Sequence, residues 1–370
     1  MSMSSSQPPQ FVLDVRRPTG AGEILRDRML TVANAIHASG LADRLVTGHE
    51  GLVISGADRL RVLRTVRRAH SDLVAMAEPA SHAWHATPSA PFYLRPDKQP
   101  SLLPPRTLED ELRDQRLAGA SVVILPAGYV SVGDVETARA IVEAANAIPE
   151  TDVAVPLYLD EHWLMADHVG FLKGLIEASV HPVLLSFGST TNPLGSKKRL
   201  QTYLDIASAG AICWRTDLAG LAGVARGAMG AAIGATPSLR RITPPERNGK
   251  ARRPDDQTPY VLIPGHLHYM KTKAMRDEIY VSTAAPQCGC AACGDLRIDR
   301  FAAEDAPSAA RHNHECTAQL ARAVLRAKPG ERMAVWRKIC QDAVVAHQST
   351  AAAIGRDWKP PLDIQVFAEL

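Results

Sequence analysis

Short apolar runs alternate with amphipathic segments through most of the chain, and this pattern predicts a parallel α/β fold. The strand candidates are residues 73–79, 121–128, 153–160, 182–190, 211–217, 231–236 and 260–269. The helix candidates between them are residues 107–119, 134–148, 166–179 and 197–210. The strands are apolar along their whole length, as expected when both faces of a parallel sheet are buried.

The spacing of the strands indicates how the sheet is organised. Successive strands in the middle of the chain begin about thirty residues apart, the length of one βα unit. An open doubly wound sheet and a closed (β/α)8 barrel both fit this spacing. No Gly-rich phosphate loop follows any strand, which favours the barrel. The eighth strand is then either 52–55 or 278–283.

Composition argues against a membrane-spanning protein and a secreted disulfide-rich protein, but it leaves a nucleic-acid partner open. The net charge of +3 over 370 residues neither requires nor excludes a nucleic-acid partner. No run of apolar residues is long enough to span a membrane, and the N-terminus has no apolar signal region. Six cysteines in a chain of this length do not form a secreted disulfide framework, so we expect a reducing, cytoplasmic location.

The cysteines form a motif that predicts a metal site. Cys288, Cys290 and Cys293 are arranged as C-x-C-x-x-C, and Gly289 gives the backbone room to fold around one ion. A structural zinc takes four nitrogen or sulfur ligands in a tetrahedron. The fourth ligand is His312 or His314, with Cys316 a weaker candidate, and we expect one structural zinc per chain.

This motif, followed by His312 and Asn313, resembles the zinc subdomain of the tRNA-guanine transglycosylase family. The resemblance implies a (β/α)8 barrel with a zinc subdomain inserted late in the chain, and Cys288, Cys290, Cys293 and His312 as ligands. It also implies exchange of a guanine-type base for a 7-deazaguanine-type base in tRNA, or in DNA in divergent members. Relatives often dimerise near the zinc subdomain, which implies a homo- or heterodimer.

The chain departs from the family in two stretches. The family's S-D-S-G-G-F-Q and F-D-C-V-x-P-T-R stretches, which carry its catalytic aspartates, are both missing here. A non-catalytic subunit that binds RNA or a partner is therefore an alternative. The expected organisation is a disordered lead-in (1–10), a barrel (11–283), a zinc subdomain (284–316) and C-terminal helices that pack on the barrel (317–370).

Catalytic residues of a (β/α)8 barrel lie at the C-terminal ends of its strands. Base exchange at a glycosidic bond needs a carboxylate nucleophile and an acid/base group. Asp217 is the predicted nucleophile, with Arg215 on the same face beside it, and Asp160 or Glu161 is the predicted acid/base or base-recognition group. All three carboxylates also suit helix N-caps.

Further polar residues at strand ends are candidates for substrate binding. They are Glu78, Tyr158, Arg215, His266 and His268. The two histidines alternate on one predicted strand and so face one side. They support a third hypothesis, a metal-dependent hydrolase with a second metal.

Segments outside the strands suggest partners and a cover for the site. Four basic runs at 64–70, 195–199, 247–253 and 271–276 suit either phosphate contacts or a solvated surface. A Pro-rich aromatic segment at 80–106 is typical of a lid or substrate wall, and residues 242–259 are predicted to form a polar surface loop.

Overall fold

A computed structural model describes residues 20–94, 106–247 and 256–370. Its largest sheet has nine parallel strands, in the order β3-β2-β1-β9-β8-β7-β6-β4, with β5 also paired to β6. The strands are β1 (Arg28–Asn34), β2 (Glu50–Ser55), β3 (Val74–Ala77), β4 (Val123–Ile124), β5 (Tyr129–Val130), β6 (Val153–Asp160), β7 (Val183–Gly188), β8 (Ile212–Thr216) and β9 (Gly230–Gly234).

These nine strands occupy eight positions of a barrel, because β4 and β5 pair with successive parts of β6. Among the described residues, no strand ladder joins β3 to β4. Instead the Ser121 N–H donates to the Ala75 carbonyl at 2.8 Å, and the Ala75 N–H donates to the Ser121 hydroxyl at 3.1 Å. Two hydrogen bonds at one serine therefore bring the last pair of strands together.

A helix follows each of the eight strand positions. The helices are α1 (Ala21–Leu25), α2 (Ala35–Ala42), α3 (Arg59–Ala69), α4 (Leu108–Leu117), α5 (Val135–Asn146), α6 (Val169–Ala178), α7 (Lys197–Ala207), α8 (Ala219–Arg226), α9 (Thr272–Ala274), α10 (Ala306–Arg326), α11 (Arg332–Ile354) and α12 (Leu362–Glu369). Helices α2 to α8 and α10 surround the barrel, whereas α11 packs on α8 and α10. Within the described ranges, no helix is long and apolar enough to cross a membrane.

The barrel interior is filled by side chains that alternate along the strands. Buried residues from all sides meet there: Leu30, Val32, Val53, Met76, Val122, Ile124, Ala154, Tyr158, Leu184, Ile212, Trp214 and Ala232. Ala21 and Leu25 of α1 join the same cluster, and the Ala21 N–H donates to the Thr151 carbonyl at 2.7 Å. The N-terminal end of the barrel is thus covered by α1, and the polar residues gather at the opposite end.

The predicted barrel is confirmed, but two of the predicted strands are wrong. Residues 260–269 do not enter the barrel; they belong to an antiparallel hairpin of β10 (Tyr260–Ile263) and β11 (His268–Lys271). The chain reverses there because Leu267 adopts a left-handed conformation with φ of +49°. Residues 278–283 also form no strand, since a π-helical turn covers Met275–Ile279.

The eighth strand is supplied by the N-terminal part of the chain. Strand β1 was not among the predicted strands, although its residues are buried between β2 and β9. The predicted segment 52–55 is part of β2. With these two strands in place, the barrel ends at Gly234, and the described residues between Gly234 and Asp305 form an insertion before α10. The expected boundary at residue 316 lies inside α10.

Candidate functional site

Glu78 lies at the C-terminal end of β3, where side chains of several strands converge. Its carboxylate is fully buried. Oε1 accepts hydrogen bonds from the Trp214 indole N–H at 2.7 Å and from the Tyr158 hydroxyl at 3.2 Å. Burial raises the pKa of Tyr158 well above its usual value, and the Glu78 charge raises it further. Tyr158 is therefore a neutral hydroxyl donor.

The charge of Glu78 is compensated by Arg215, which is itself only 6% exposed. The Arg215 Nε lies 3.2 Å from Glu78 Oε2. This contact is an ion pair, and neither of the two atoms has a hydrogen-bond partner within the described chain. Because buried charges are costly unless paired, the two residues depend on each other.

The backbone explains why Arg215 meets Glu78 rather than Asp217. Arg215 has φ of +49°, and the pairing of β8 with β9 shifts register between Cys213 and Thr216. This irregularity breaks the alternation of side chains along the strand. Arg215 therefore forms its ion pair with Glu78, and among the described residues no ion pair joins it to Asp217.

His82 closes the cluster from the segment that follows β3. The Arg215 guanidinium donates to His82 Nε2 at 3.3 Å and to the Ser55 hydroxyl at 3.3 Å. Burial lowers the pKa of His82 to about 4, and the Arg215 charge contributes. A neutral imidazole that accepts at Nε2 carries its proton on Nδ1. That N–H has no partner among the described residues and is available to a ligand.

Ser186 adds a further unpartnered group. It lies opposite Tyr158 in the register of β6 and β7, so its side chain faces the barrel interior beside Tyr158. Its buried hydroxyl makes no hydrogen bond to the described chain. Buried polar groups normally have partners, so the unpartnered atoms of His82 and Ser186 beside the Glu78–Arg215 ion pair make this end of the barrel the candidate ligand site.

Asp160 lies at the rim of the same site. The Tyr129 hydroxyl donates to Oδ2 at 3.0 Å, and the His162 backbone N–H donates to Oδ1 at 2.9 Å. Its side chain is 22% exposed. Glu161 is directed elsewhere, because its carboxylate forms an ion pair with Arg199 on α7 at 2.7 Å. The structure thus places Asp160 at the rim and Glu161 outside the cluster.

Asp217 caps a helix. Its Oδ1 accepts a hydrogen bond from the Ala219 N–H at 3.0 Å, at the start of α8. It lines a cavity of about 30 Å³ at the ends of β7 and β8, together with Ser186, Trp214 and Arg215 of the Glu78 cluster. Among the described residues it forms no hydrogen bond or ion pair with Glu78. The cap is the alternative that the sequence left open for this residue.

The segment after β3 lies over this end of the barrel. Trp84 stacks on Tyr93 with ring centroids 3.9 Å apart, and His85 contacts the Glu246 carboxylate at 2.5 Å. The two predicted surface segments therefore meet through His85 and Glu246. Residues 95–105 and 248–255 of those segments, and the lead-in at 1–10, lie outside the described residues.

His266 and His268 were predicted to bind substrate or a second metal. Both lie on the β10–β11 hairpin, and neither lies on a strand of the barrel. They pack against His347 of α11 and against Trp358. The His266 Nε2 pairs with the Thr350 hydroxyl at 2.9 Å. This position removes the geometric basis for a hydrolase that uses both histidines at the barrel mouth.

The cysteine motif and α10 form a buried cluster that could hold a metal ion. Donor atoms of Cys288, Cys290, His312 and Cys316 all lie within 4.8 Å of one another. Cys293 also belongs to the cluster, with its Sγ 3.2 Å from His312 Nδ1 and 3.1 Å from an Arg300 nitrogen. Cys288 has a lowered pKa because neighbouring thiols hydrogen-bond to it, Cys290 most strongly.

His312 is oriented by the hairpin. Its Nε2 donates to the Leu262 carbonyl at 2.7 Å, which leaves the Nδ1 lone pair toward the four sulfurs. Asn313 also joins α10 to the hairpin, because its side chain accepts a hydrogen bond from the Leu262 N–H and donates one to the Tyr260 carbonyl. His314 faces the barrel instead, with Nδ1 2.8 Å from the Thr31 hydroxyl.

Sequence analysis missed several members of these sites. His82, Ser55 and Trp214 were not among the predicted residues, because each becomes significant only through its contact with Glu78 or Arg215. In the sequence, a tryptophan next to an arginine at the end of a predicted strand does not indicate a functional site. The position of Cys316 one helical turn after His312 was visible in the sequence and places both on one face of α10.

No protein-family model and no curated protein matches this sequence. Among solved structures, the chain has a weak similarity to a mutant tryptophan synthase alpha-subunit from the hyperthermophile Pyrococcus furiosus, with 12% identity, a TM-score of 0.33, and coverage of 57% of this chain and 88% of that chain. Triosephosphate isomerase from Bartonella henselae has 11% identity, a TM-score of 0.31, and coverage of 58% and 94%. Dihydropteroate synthase from Thermus thermophilus has 13% identity, a TM-score of 0.29, and coverage of 58% and 89%.

Proposed function

We propose that this chain is a transglycosylase-like enzyme that exchanges a guanine-type base for a 7-deazaguanine-type base in a nucleic acid, with tRNA as the first candidate and DNA as the second. The observation that carries the proposal is the Glu78 carboxylate. It is buried at the catalytic end of a (β/α)8 barrel, charge-compensated by Arg215, and has one oxygen without a hydrogen bond.

Glu78 is the proposed nucleophile, in place of Asp217. Its Oε1 is held by Tyr158 and Trp214, so Oε2, which faces Arg215 but accepts no hydrogen bond, is the oxygen that bonds the sugar carbon C1′ as the bond from C1′ to the base nitrogen breaks. Asp160 at the rim is the proposed acid/base group. It gives a proton to the departing base and takes one from the incoming base, which then displaces Glu78.

Support for an anionic polymer as substrate comes from α3. Arg61, Arg64 and Arg68 recur at helical spacing on its exposed face, while Val62 and Val66 face the core. Only Arg61 has an ion-pair partner there among the described residues, namely Asp58. In the runs at 195–199 and 271–276, by contrast, four lysines or arginines are paired with carboxylates, three with other elements and Lys273 with Asp277 one turn away.

Zinc is the proposed metal of the cysteine cluster. Thiolate and imidazole donors in a closed, buried set are typical of a structural zinc site, and four protein ligands leave no open position for catalysis. The ion would link the 288–293 loop to α10, and the hairpin contacts this site through the hydrogen bond of His312 to Leu262.

The first test is incorporation of labelled guanine into bulk tRNA and into DNA by purified protein. Glu78→Gln should lower exchange by about 10³-fold or more, since it removes the nucleophile but keeps the shape of the side chain. Glu161→Gln is the matched control, because Glu161 lies outside the cluster. Equal activity of Glu78→Gln and wild type would refute Glu78 as nucleophile. Absence of exchange in both polymers, with a folded wild-type protein, would favour the non-catalytic binding subunit.

A further inference from the structure

The cysteine cluster contains more donors than one tetrahedral ion can use. In a zinc tetrahedron with bonds of about 2.3 Å to sulfur and 2.0 Å to nitrogen, each sulfur lies about 3.5 Å from the nitrogen ligand. The distances from His312 Nδ1 to the four sulfurs are 3.2 Å for Cys293, 3.5 Å for Cys290, 3.6 Å for Cys288 and 3.7 Å for Cys316. All four sulfurs satisfy this distance, but only three can bind beside the histidine.

The distances among the donor atoms divide the cysteines into two kinds. The donor atoms of Cys288, Cys290, His312 and Cys316 all lie within 4.8 Å of one another. Cys293 lies outside that set, although its Sγ is 3.2 Å from His312 Nδ1. Cys288, Cys290 and His312 therefore form a shared base, with Cys293 and Cys316 as alternative fourth donors.

The two alternatives are held differently. Cys293 is close to Nδ1 alone and also contacts Arg300, whose guanidinium stabilises a thiolate whether or not a metal is bound. Cys316 lies on α10 one turn after His312, at nearly equal distances from both ring nitrogens, 3.7 Å and 3.8 Å. The Arg300 contact thus favours Cys293 as the fourth donor, while Cys316, whose Sγ lies within 4.8 Å of the Cys288, Cys290 and His312 donor atoms, remains within reach of the same ion.

We propose that this is a metal site with a reserve ligand: Cys288, Cys290, Cys293 and His312 bind the ion, and Cys316 replaces Cys293 when that thiolate is lost. The inference rests on the proposed metal. It gives the protein a site that keeps its ion and its fold after loss of one thiolate, for instance by oxidation of a single cysteine.

The test measures metal content and spectra of the full chain and of alanine variants. Each protein is purified with zinc, analysed for metal per chain, and then reconstituted with Co²⁺, whose visible bands report tetrahedral geometry and whose thiolate charge-transfer absorption reports the number of sulfur ligands. The variants are Cys293→Ala, Cys316→Ala and the double variant. Cys340→Ala, a buried cysteine outside the cluster, is the control.

We expect Cys316→Ala to match wild type. Cys293→Ala should keep one metal and a three-thiolate absorption, with affinity reduced about tenfold or less, and the double variant should lose at least about a further hundredfold in affinity. Loss of metal in either single variant would overturn the reserve-ligand proposal, because it would show a fixed set of four. A two-thiolate spectrum in Cys293→Ala would overturn it as well. A metal-free, folded wild type would instead refute the metal itself, and with it the reserve ligand.

Discussion

At the scale of single residues, the strongest coupling in the candidate site joins Glu78 to Arg215. Both side chains are buried, so the loss of either one leaves an uncompensated charge away from water. Such a loss typically costs about 3–5 kcal/mol of unfolding free energy, whereas replacing both partners costs much less. The ion pair therefore makes a prediction about stability that does not depend on the proposed reaction.

We expect Arg215→Met to destabilise the protein by about 3–5 kcal/mol, because Glu78 keeps its charge and loses its partner. Adding Glu78→Gln to that variant should restore part of the loss. Chemical denaturation of the two single variants and the double variant measures the coupling. Strictly additive effects would contradict a direct ion pair.

Asp217 gives a second prediction at this scale. Because asparagine caps helices about as well as aspartate, Asp217→Asn should change stability by less than about 0.5 kcal/mol and leave base exchange intact. Asp217→Ala should lower stability by about 1 kcal/mol through loss of the cap of α8. A large loss of exchange in Asp217→Asn, with normal thermal unfolding, would restore Asp217 as a catalytic residue.

At the scale of elements, the β10–β11 hairpin packs on α11 through the imidazole rings of three histidines, which are neutral at pH 7 in the folded protein. Burial lowers the pKa of His266 and of His268 to about 4, and the His347 charge contributes to both shifts. The pKa of His347 is lowered by burial as well. The rings face one another, Trp358 and the Thr350 hydroxyl, so a proton on one ring finds no carboxylate partner among these neighbours.

This packing predicts a loss of stability in mild acid. The unfolded chain binds protons at these histidines below about pH 6.5, whereas the folded chain does not until about pH 4. Stability is therefore full above pH 6.5 and falls as the pH drops toward 4. His268→Phe keeps the stacking on Trp358 but cannot take up a proton, so its unfolding temperature should fall less between pH 7 and pH 5. Identical pH slopes for variant and wild type would count against this account.

At the scale of the whole molecule, the exposed arginines of α3 predict how a nucleic acid is held. Each arginine that contacts a phosphate adds to the salt dependence of binding. Arg64→Glu together with Arg68→Glu should weaken tRNA or DNA binding at least about tenfold and reduce the slope of log affinity against log salt by about 2. The measurement is fluorescence anisotropy at several salt concentrations.

A charge reversal elsewhere serves as the control for that measurement. Lys197 is exposed but paired with Glu369, so Lys197→Glu changes the net charge without removing a free cation. It should leave the salt slope nearly unchanged. Equal effects of the α3 variant and the Lys197 variant would indicate a general charge effect rather than a binding face.

The order of apolar runs and amphipathic helices predicted a parallel α/β fold, because strand and helix periodicities are local properties of the chain, and the absence of a Gly-rich phosphate loop favoured the (β/α)8 barrel. The spacing of Cys288, Cys290 and Cys293 likewise indicated a metal cluster, since ligands on one tight loop converge without help from the rest of the fold. The strand ends also pointed to Glu78, Tyr158 and Arg215, because parallel strands bring their C-terminal ends together.

Other features depended on contacts between distant segments. The prediction missed strand β1 and placed residues 260–269 in the barrel, although they form a hairpin. Both segments are short apolar runs, and only their sheet pairing distinguishes them. The partner of Arg215 was decided by a left-handed residue and a register shift in β8, which break the simple alternation of side chains. His82 gained its position through its contact with Arg215, and such a contact between distant segments exists only once the chain has folded.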